Sequence, residues 1–364
     1  MNETPVSVII PIYNAGAYLA PCLDSVLGQT HRALDVICLN DGSTDGSLEV
    51  LRAYEQRDGR VRVVDKPNEG YGATCNRGLA LARGEWIAIV EPDDWIEPQM
   101  YADMLAFAAK FDAAEEPLDI VKTPYWRVVS DGRGDERKVN CSYRGRINPP
   151  RQPFSIADAA HLLTHHPSIW SAMYRASFLR DKGIRFKEIP GAGWADNPFL
   201  VETLCQTSRI GYFDVPYYCY REDTPEKAKS FAEANHTLPF ERWNDMMDVL
   251  ERLGVDDERI LRAHYSRGFT YLSGVIAHVD LTHDDVRAAA KAMFKRMDPR
   301  IVFSDPGLAP DMKRLFAGLR GIPCPQIDPI PYLKRLADES VYYVKNAGLR
   351  ATARTAAEYV RNHF

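Results

Sequence analysis

Four short apolar runs in the first ninety residues, each closed by polar residues or glycine, constrain the fold most. PVSVIIPIY (5–13) is β-branched and bounded by Pro5 and the Asn14-Ala15-Gly16 turn, which marks a buried strand. Leu19, Cys22, Leu23, Val26 and Leu27 then recur at helical spacing, so a helix follows until Gly28. The alternation repeats. DVICLN (35–40) predicts a second strand, Leu48, Leu51 and Tyr54 a second helix, and VRVV (61–64) a third strand. Residues 73–83 predict a third helix, closed by Gly84, and WIAIV (86–90) a fourth strand. Strands and helices joined by short connections imply a parallel sheet covered on both faces.

Such sheets bind ligands beyond the carboxyl ends of their strands. Tyr13 and Asn14 follow the first strand, Asp41 the second, Asn68 to Gly72 the third, and Glu91, Asp93 and Asp94 the fourth. One such cluster is an ordinary loop. Four on one edge of one sheet point to a site.

Beyond Met100, DIVKTPYWRVV (119–129) reads as one further strand, and residues 131–153, rich in Arg, Gly and Pro, as a loop or hairpin. From about Glu233 the chain reads as helices separated by prolines and glycines. The expected organisation is an α/β domain over 1–231 and a helical domain over 232–364.

A formal net charge of −5 argues against a chain built to neutralise nucleic acid phosphates. Glu3 is acidic, and Ser7 and Pro11 interrupt the first apolar run, so MNETPVSVIIPIYNAG does not read as a signal peptide. No segment reaches the roughly 18 apolar residues of a membrane span. The expected location is cytoplasmic. Seven scattered cysteines without a CxxC pair read as reduced thiols.

EPDDW (91–95) is the most informative short motif. Breaking the glycosidic bond of a nucleotide sugar leaves a nucleoside diphosphate with added charge on its leaving oxygen. Hard oxygen ligands on a strand-end loop suit Mg2+ or Mn2+, which neutralise that charge. Glu91 and Asp93, one residue apart, point to one side of an extended segment. In NDGSTDGS (40–47), Asp41 can accept a hydrogen bond from the N3–H of uracil or thymine, while Asp45, Ser43 and Thr44 are helix-cap candidates. NEGYGATCNRG (68–78) either presents backbone N–H groups to phosphate or is a tight turn.

Taken in order, PVSVIIPIYNAGAYLAPCLDSVLGQT, NDGSTDGS and NEGYGATCNRGLALARGEWIAIVEPDDW resemble glycosyltransferase family 2. The resemblance is close over about 5–115 and weaker to about 230. It implies a GT-A fold and inverting transfer of a sugar from a nucleotide donor. It places Pro11, Tyr13 and Asn14 at the nucleobase, with Asp41 on the base N3–H. Asn68, Gly70 and Asn76 fall on the ribose and phosphate side, Glu91 on the ribose and Asp93 on the metal. Glu91 stands where Asp is usual, and ATCN (73–76) lacks the Arg often found before this Asn. The family's ED dipeptide matches Ala195-Asp196, which makes Asp196 the general base; a helix cap is its other reading. Arg221 and Ser230 match a stretch that engages the diphosphate, with Lys227 and Lys229 in reserve. Asp94, Trp170 and Trp194 are assigned to the acceptor and sugar side, although either tryptophan can equally belong to a core.

The expected partners are a UDP-sugar and a glycan, polyol-phosphate or lipid-linked acceptor of cell-surface polymer synthesis. A non-catalytic sugar-nucleotide-binding subunit is the alternative, given Ala195 and Glu91. A nucleotidyltransferase is disfavoured, because PIYNAGAY has no Lys- or Arg-bearing glycine loop. His236 is a candidate metal ligand or an ordinary surface histidine, and His165-His166 has no HExxH context. Residues 341–364 read as a basic amphipathic helix for subunit packing or for an anionic membrane face.

Overall fold

The computed structural model describes residues 4–130, 136–191, 193–222, 230, 234–279 and 281–347. The chain divides into two compact units, Met1–Glu222 and Asp223–Phe364. The boundary expected at 231/232 lies outside the described residues.

In the first unit, β1 (Val6–Ile12), α1 (Gly16–Leu27), β2 (Leu34–Asp41), α2 (Ser47–Arg57), β3 (Val61–Lys66), α3 (Tyr71–Leu81) and β4 (Trp86–Ile89) alternate. The unit continues through β5 (Trp95–Ile96), α4 (Met100–Asp112), β6 (Ile120–Lys122), β7 (Tyr125–Ser130) and β8 (Glu136–Asn140). After a 3-10 helix at Ile156–Leu163 come β9 (Ala172–Arg175), α5 (Ala176–Asp181), α6 (Asp196–Leu204), β10 (Ile210–Tyr212) and β11 (Tyr218–Arg221).

The main sheet has seven strands in the order β10-β6-β9-β4-β1-β2-β3. It is parallel except at β9, which runs antiparallel to both β4 and β6. β1 and β4 are buried along their whole length, as strands covered on both faces must be. Pro11 lies past the last β1–β4 pair, Ile9↔Ile89, so its missing N–H does not interrupt that ladder.

The single strand expected over 119–129 is two. Thr123-Pro124 separates β6, in the main sheet, from β7, in a second sheet of order β5-β11-β7-β8. Proline cannot continue a ladder, and here it lets the chain change sheets. The hairpin partner of β7 is β8.

The second unit contains α7 (Leu238–Arg252), α8 (Glu258–Ile276), α9 (Asp284–Lys295), α10 (Pro299–Ser304), α11 (Pro310–Arg320) and α12 (Ile330–Ala347). Trp243 stacks on His264 at 4.4 Å, and Phe294 packs against Phe269 and Phe316, which closes an apolar core. No helix among the described residues is long and apolar enough to cross a membrane. All seven cysteines are free thiols.

Candidate active site

The carboxyl ends of β1, β2 and β3 gather the first group of expected residues. Pro11 is buried in β1, while Tyr13, just past its end, is 54% exposed. Asn14 takes a left-handed conformation, φ 52°, and laces two loops together. Its N–H donates to Ser43 Oγ at 3.0 Å, and its side-chain oxygen accepts from the Thr44 N–H at 2.8 Å. Asp45 accepts from the Gly16 and Ser47 N–H groups, both at 3.0 Å. Asn14 and Asp45 thus shape the rim of this edge from within the protein.

Asp41 is 4% exposed. Its Oδ1 accepts from the Glu69 N–H at 2.9 Å and pairs with the Lys66 ammonium, and its Oδ2 accepts from the Gly70 N–H at 3.0 Å. The carboxylate therefore organises the 68–70 turn. A nucleobase N–H reaching it must share an oxygen that already accepts. Lys66 was invisible as a site residue in the linear sequence. The sheet register places it beside Asp41.

Three successive amides of the glycine-rich turn are already taken within the protein. The Glu69 and Gly70 N–H groups are held by Asp41, and the Tyr71 N–H donates to the Gly191 carbonyl at 2.9 Å. The 186–191 segment lies directly on the start of α3. A Cβ at Gly72 would stand 2.1 Å from the Lys187 carbonyl oxygen, so only glycine fits there. Asn68 is exposed at the edge of the turn. Asn76 is 4% exposed and is a clamp. It accepts from the Phe186 N–H at 2.8 Å and donates to the Phe186 carbonyl and Glu188 Oε1, both at 3.0 Å. Its expected place on the ribose side is corrected accordingly: tertiary packing has used every polar atom it has.

The loop after β4 carries the acids. Glu91 Oε1 accepts from the Tyr71 hydroxyl at 2.6 Å. Burial, reinforced by the negative charges of Asp93 and Asp196, pushes the Glu91 carboxyl up to about 8 against that hydrogen bond. Asp93 is exposed. Asp196, at the first position of α6, is half-buried, and its charge also raises the Tyr71 phenol, after burial and nearer groups. Residues a hundred positions apart thus converge on one acidic cluster of Glu91, Asp93 and Asp196. Just before it, Gly193 and Trp194 both adopt left-handed backbone, φ 53° and 54°. An aromatic residue there carries strain of about 1–3 kcal/mol, a feature that concentrates at functional loops. Ala195, in the position of the expected glutamate, is 1% exposed.

Asp94 faces inward and not toward an acceptor. It is 2% exposed, accepts from the Tyr218 hydroxyl and the Arg221 N–H, both at 2.8 Å, and so joins the acidic loop to β11. Burial and the Asp93 charge push its carboxyl well above the usual range. Trp170 is likewise a core residue, 3% exposed and stacked on Tyr218 at 4.0 Å and Tyr220 at 5.2 Å. Its reading as a sugar platform is corrected. Arg221 sits over the Tyr18 and Trp95 rings at 5.3 and 5.0 Å, and its Nε donates to the Asp93 carbonyl at 3.3 Å. It is the cation beside the acids. Ser230 is exposed in the second unit, and Lys227 and Lys229 lie outside the described residues. Sequence reasoning missed Tyr71 and Tyr218, which hold the two inner carboxyls. Tyr71 sits inside the NEGYG motif, whereas nothing local marks Tyr218.

The model of the family described as Glycosyl transferase family 2 matches residues 7–181. The chain carries a family 2 glycosyltransferase domain. Asp196 and Arg221 lie beyond the matched part of this glycosyltransferase domain. The chain is 42% identical to the glycosyltransferase EpsH of Bacillus subtilis (strain 168) over 222 residues, 60% of this chain and 61% of EpsH. It is 30% identical to EpsJ of the same strain over 227 residues, again 60% of this chain and 61% of the relative. The chain therefore spans under two thirds of either relative. YibD of Escherichia coli (strain K12) is 27% identical over 296 residues, 79% of this chain and 82% of YibD. The crystal structure of S. aureus TarS 1–349 in complex with UDP shares the fold, with a TM-score of 0.66 and 19% identity over 87% of each chain. The fold of the first unit is GT-A, with a mostly parallel seven-stranded sheet.

Proposed function

We propose that this chain moves a hexose or N-acetylhexosamine from a UDP-sugar to a hydroxyl of a glycan or polyol-phosphate, with inversion, in cell-surface polymer synthesis. The observation that carries the proposal is the convergence of Glu91, Asp93 and Asp196 beside Arg221 at the end of β4. The TarS structures that share the fold were determined with UDP and with UDP-GlcNAc, which makes these the first ligands to try.

The donor set of the loop is oxygen only, and burial together with the neighbouring carboxylates raises the Glu91 carboxyl. That chemistry fits a hard divalent cation, Mn2+ or Mg2+, with Asp93 as the ligand. Asp93 would hold the ion where it would supply charge neutralisation to the departing diphosphate. The protein's own groups do the rest. Tyr13 covers the nucleobase and Asp41 fixes its N3–H edge. Glu91, held by Tyr71, meets the ribose. Arg221 neutralises the diphosphate, and Trp194 faces the sugar. Asp196 takes the proton from the attacking hydroxyl. We assign α12 and the residues after it to contact with an anionic membrane surface.

UDP release across a panel of nucleotide sugars, with Mn2+ or Mg2+, tests the reading. A single preferred donor, with loss of activity in both Asp93→Ala and Asp196→Ala, is expected. Full activity in both variants defeats the residue roles. The buried Ala195 in place of a glutamate favours one other reading, a non-catalytic sugar-nucleotide-binding subunit. That reading predicts UDP binding by calorimetry without turnover on any acceptor.

A further inference from the structure

The second unit holds a cluster that the donor chemistry does not use. His236 stands two residues before α7. His283 caps α9 with φ −65° and ψ 120°, and Asp285 lies in the first turn of the same helix. One ligand atom from each of the three lies within 4.8 Å of the other two. The imidazoles meet edge to face, with ring centroids 4.9 Å apart. His236 is half-buried, and the other two are exposed.

We propose that His236, His283 and Asp285 form a divalent transition-metal site, with Zn2+ as the ion that fits best. Two imidazoles and one carboxylate make the three-ligand set of an open zinc site, which leaves the fourth position to water. Imidazole selects Zn2+, Co2+ or Ni2+ over Mg2+ and Ca2+, which take oxygen. The ion class therefore differs from that of the oxygen-only loop at Glu91 and Asp93. Bonds of about 2.0–2.2 Å in a tetrahedron set ligand atoms about 3.4 Å apart. Exposed side chains close the remaining gap, of at most about 1.4 Å, by small rotations. The positive end of α9 opposes a cation. Asp284 and Asp285, both in its first turn, offset that field.

His283 and Asp285 belong to one turn, whereas His236 comes from a separate segment. A bound ion thus ties the approach to α7 onto the start of α9.

The test uses the tag-free full chain, stripped with a chelator and titrated with Co2+. One equivalent is expected to develop the visible d–d bands of a low-coordinate imidazole site, and Zn2+ should displace it. The bands should persist in Asp93→Ala and disappear in both His236→Gln and His283→Gln. Asp285→Asn, an isosteric change at an exposed position, should weaken Zn2+ binding about tenfold or more in competition with a chromophoric chelator. Circular dichroism establishes that each variant is folded. Absence of the bands in the unaltered chain, their survival in both histidine variants, their loss in Asp93→Ala, or unchanged Zn2+ affinity in Asp285→Asn would each overturn the proposal.

Discussion

Asp196 and Asn76 are both polar residues near the acidic loop, and they separate by what holds them. Asp196 opens α6 half-buried, with its charge felt at Glu91 and Tyr71. On its proposed role as general base, Asp196→Asn should lower kcat about 10²–10⁴-fold, with little change in the donor KM. A loss confined to the donor KM would make it a binding residue. Asn76, by contrast, spends all its polar atoms on the 186–188 segment. Asn76→Ala should cost about 1–3 kcal/mol in urea unfolding, because the Phe186 N–H and carbonyl lose buried partners. Unchanged stability with weakened UDP binding would return Asn76 to the ribose. The strand-end positions of Asp41, Glu91 and Asp93 were legible because a strand-end loop displays its residues in the sequence itself. Asn76, Asp94 and Trp170 were misread because partners far along the chain, Phe186, Tyr218 and Tyr220, decide what they touch.

β6 is three residues long, and it shows how an element is fixed by chemistry outside its own sequence. Alternation of strands and helices gave away the order β1 to β4, but not the sheet change at Thr123-Pro124, because β6 finds its partners in β9 and β10 and β7 pairs with β11 as well as β8, most of them far along the chain. Lys122 ends β6 at 2% exposure, and its ammonium donates to the Ser168 carbonyl at 2.5 Å, Ser168 Oγ at 2.9 Å and Ser171 Oγ at 2.8 Å. Burial among neutral groups lowers its pKa to about 7, from 10.5 in an unfolded chain. Between these values the unfolded chain holds a proton that the folded chain has released. Stability from this group therefore rises with pH across that window, at up to about 1.4 kcal/mol per unit, and the full penalty applies below pH 7. The Glu91 and Asp94 carboxyls, both raised by burial, hold protons there that an unfolded chain has released and oppose this trend, as the buried thiols do near and above their ordinary 9.0, so the share of Lys122 is the difference between two proteins. Between pH 7 and 8.5 the urea midpoint should therefore rise more steeply, or fall less steeply, in the unaltered chain than in Lys122→Met. Equal slopes in the two proteins would show that the ammonium is retained as charge. At α3 the constraint is steric. Gly72→Ala drives a Cβ onto the Lys187 carbonyl and should destabilise by about 1–3 kcal/mol, read as a lower urea midpoint.

At the scale of the whole molecule, the distribution of charge is uneven. The chain carries a net −5, yet residues 330–364 hold six Lys and Arg against three Asp and Glu. Within α12, Ile330, Leu333 and Val341 recur at helical spacing and are 55%, 57% and 54% exposed, beside exposed Lys334 and Lys345. An exposed apolar stripe flanked by basic residues is what an interfacial helix presents to anionic lipid, whereas a helix made only for solvent has no use for the stripe. The attraction is electrostatic as well as apolar, worth about 1 kcal/mol per basic residue near a charged surface. The full chain should therefore float with vesicles containing phosphatidylglycerol and stay behind with pure phosphatidylcholine, and raising the salt should release it. Leu333→Glu with Val341→Glu should abolish flotation and leave the fold intact, since neither side chain is part of a core. Equal flotation of the two proteins would sink the membrane assignment. A concentration-dependent dimer of the unaltered chain, lost in the same double variant, would mean instead that the stripe pairs with a second copy of α12.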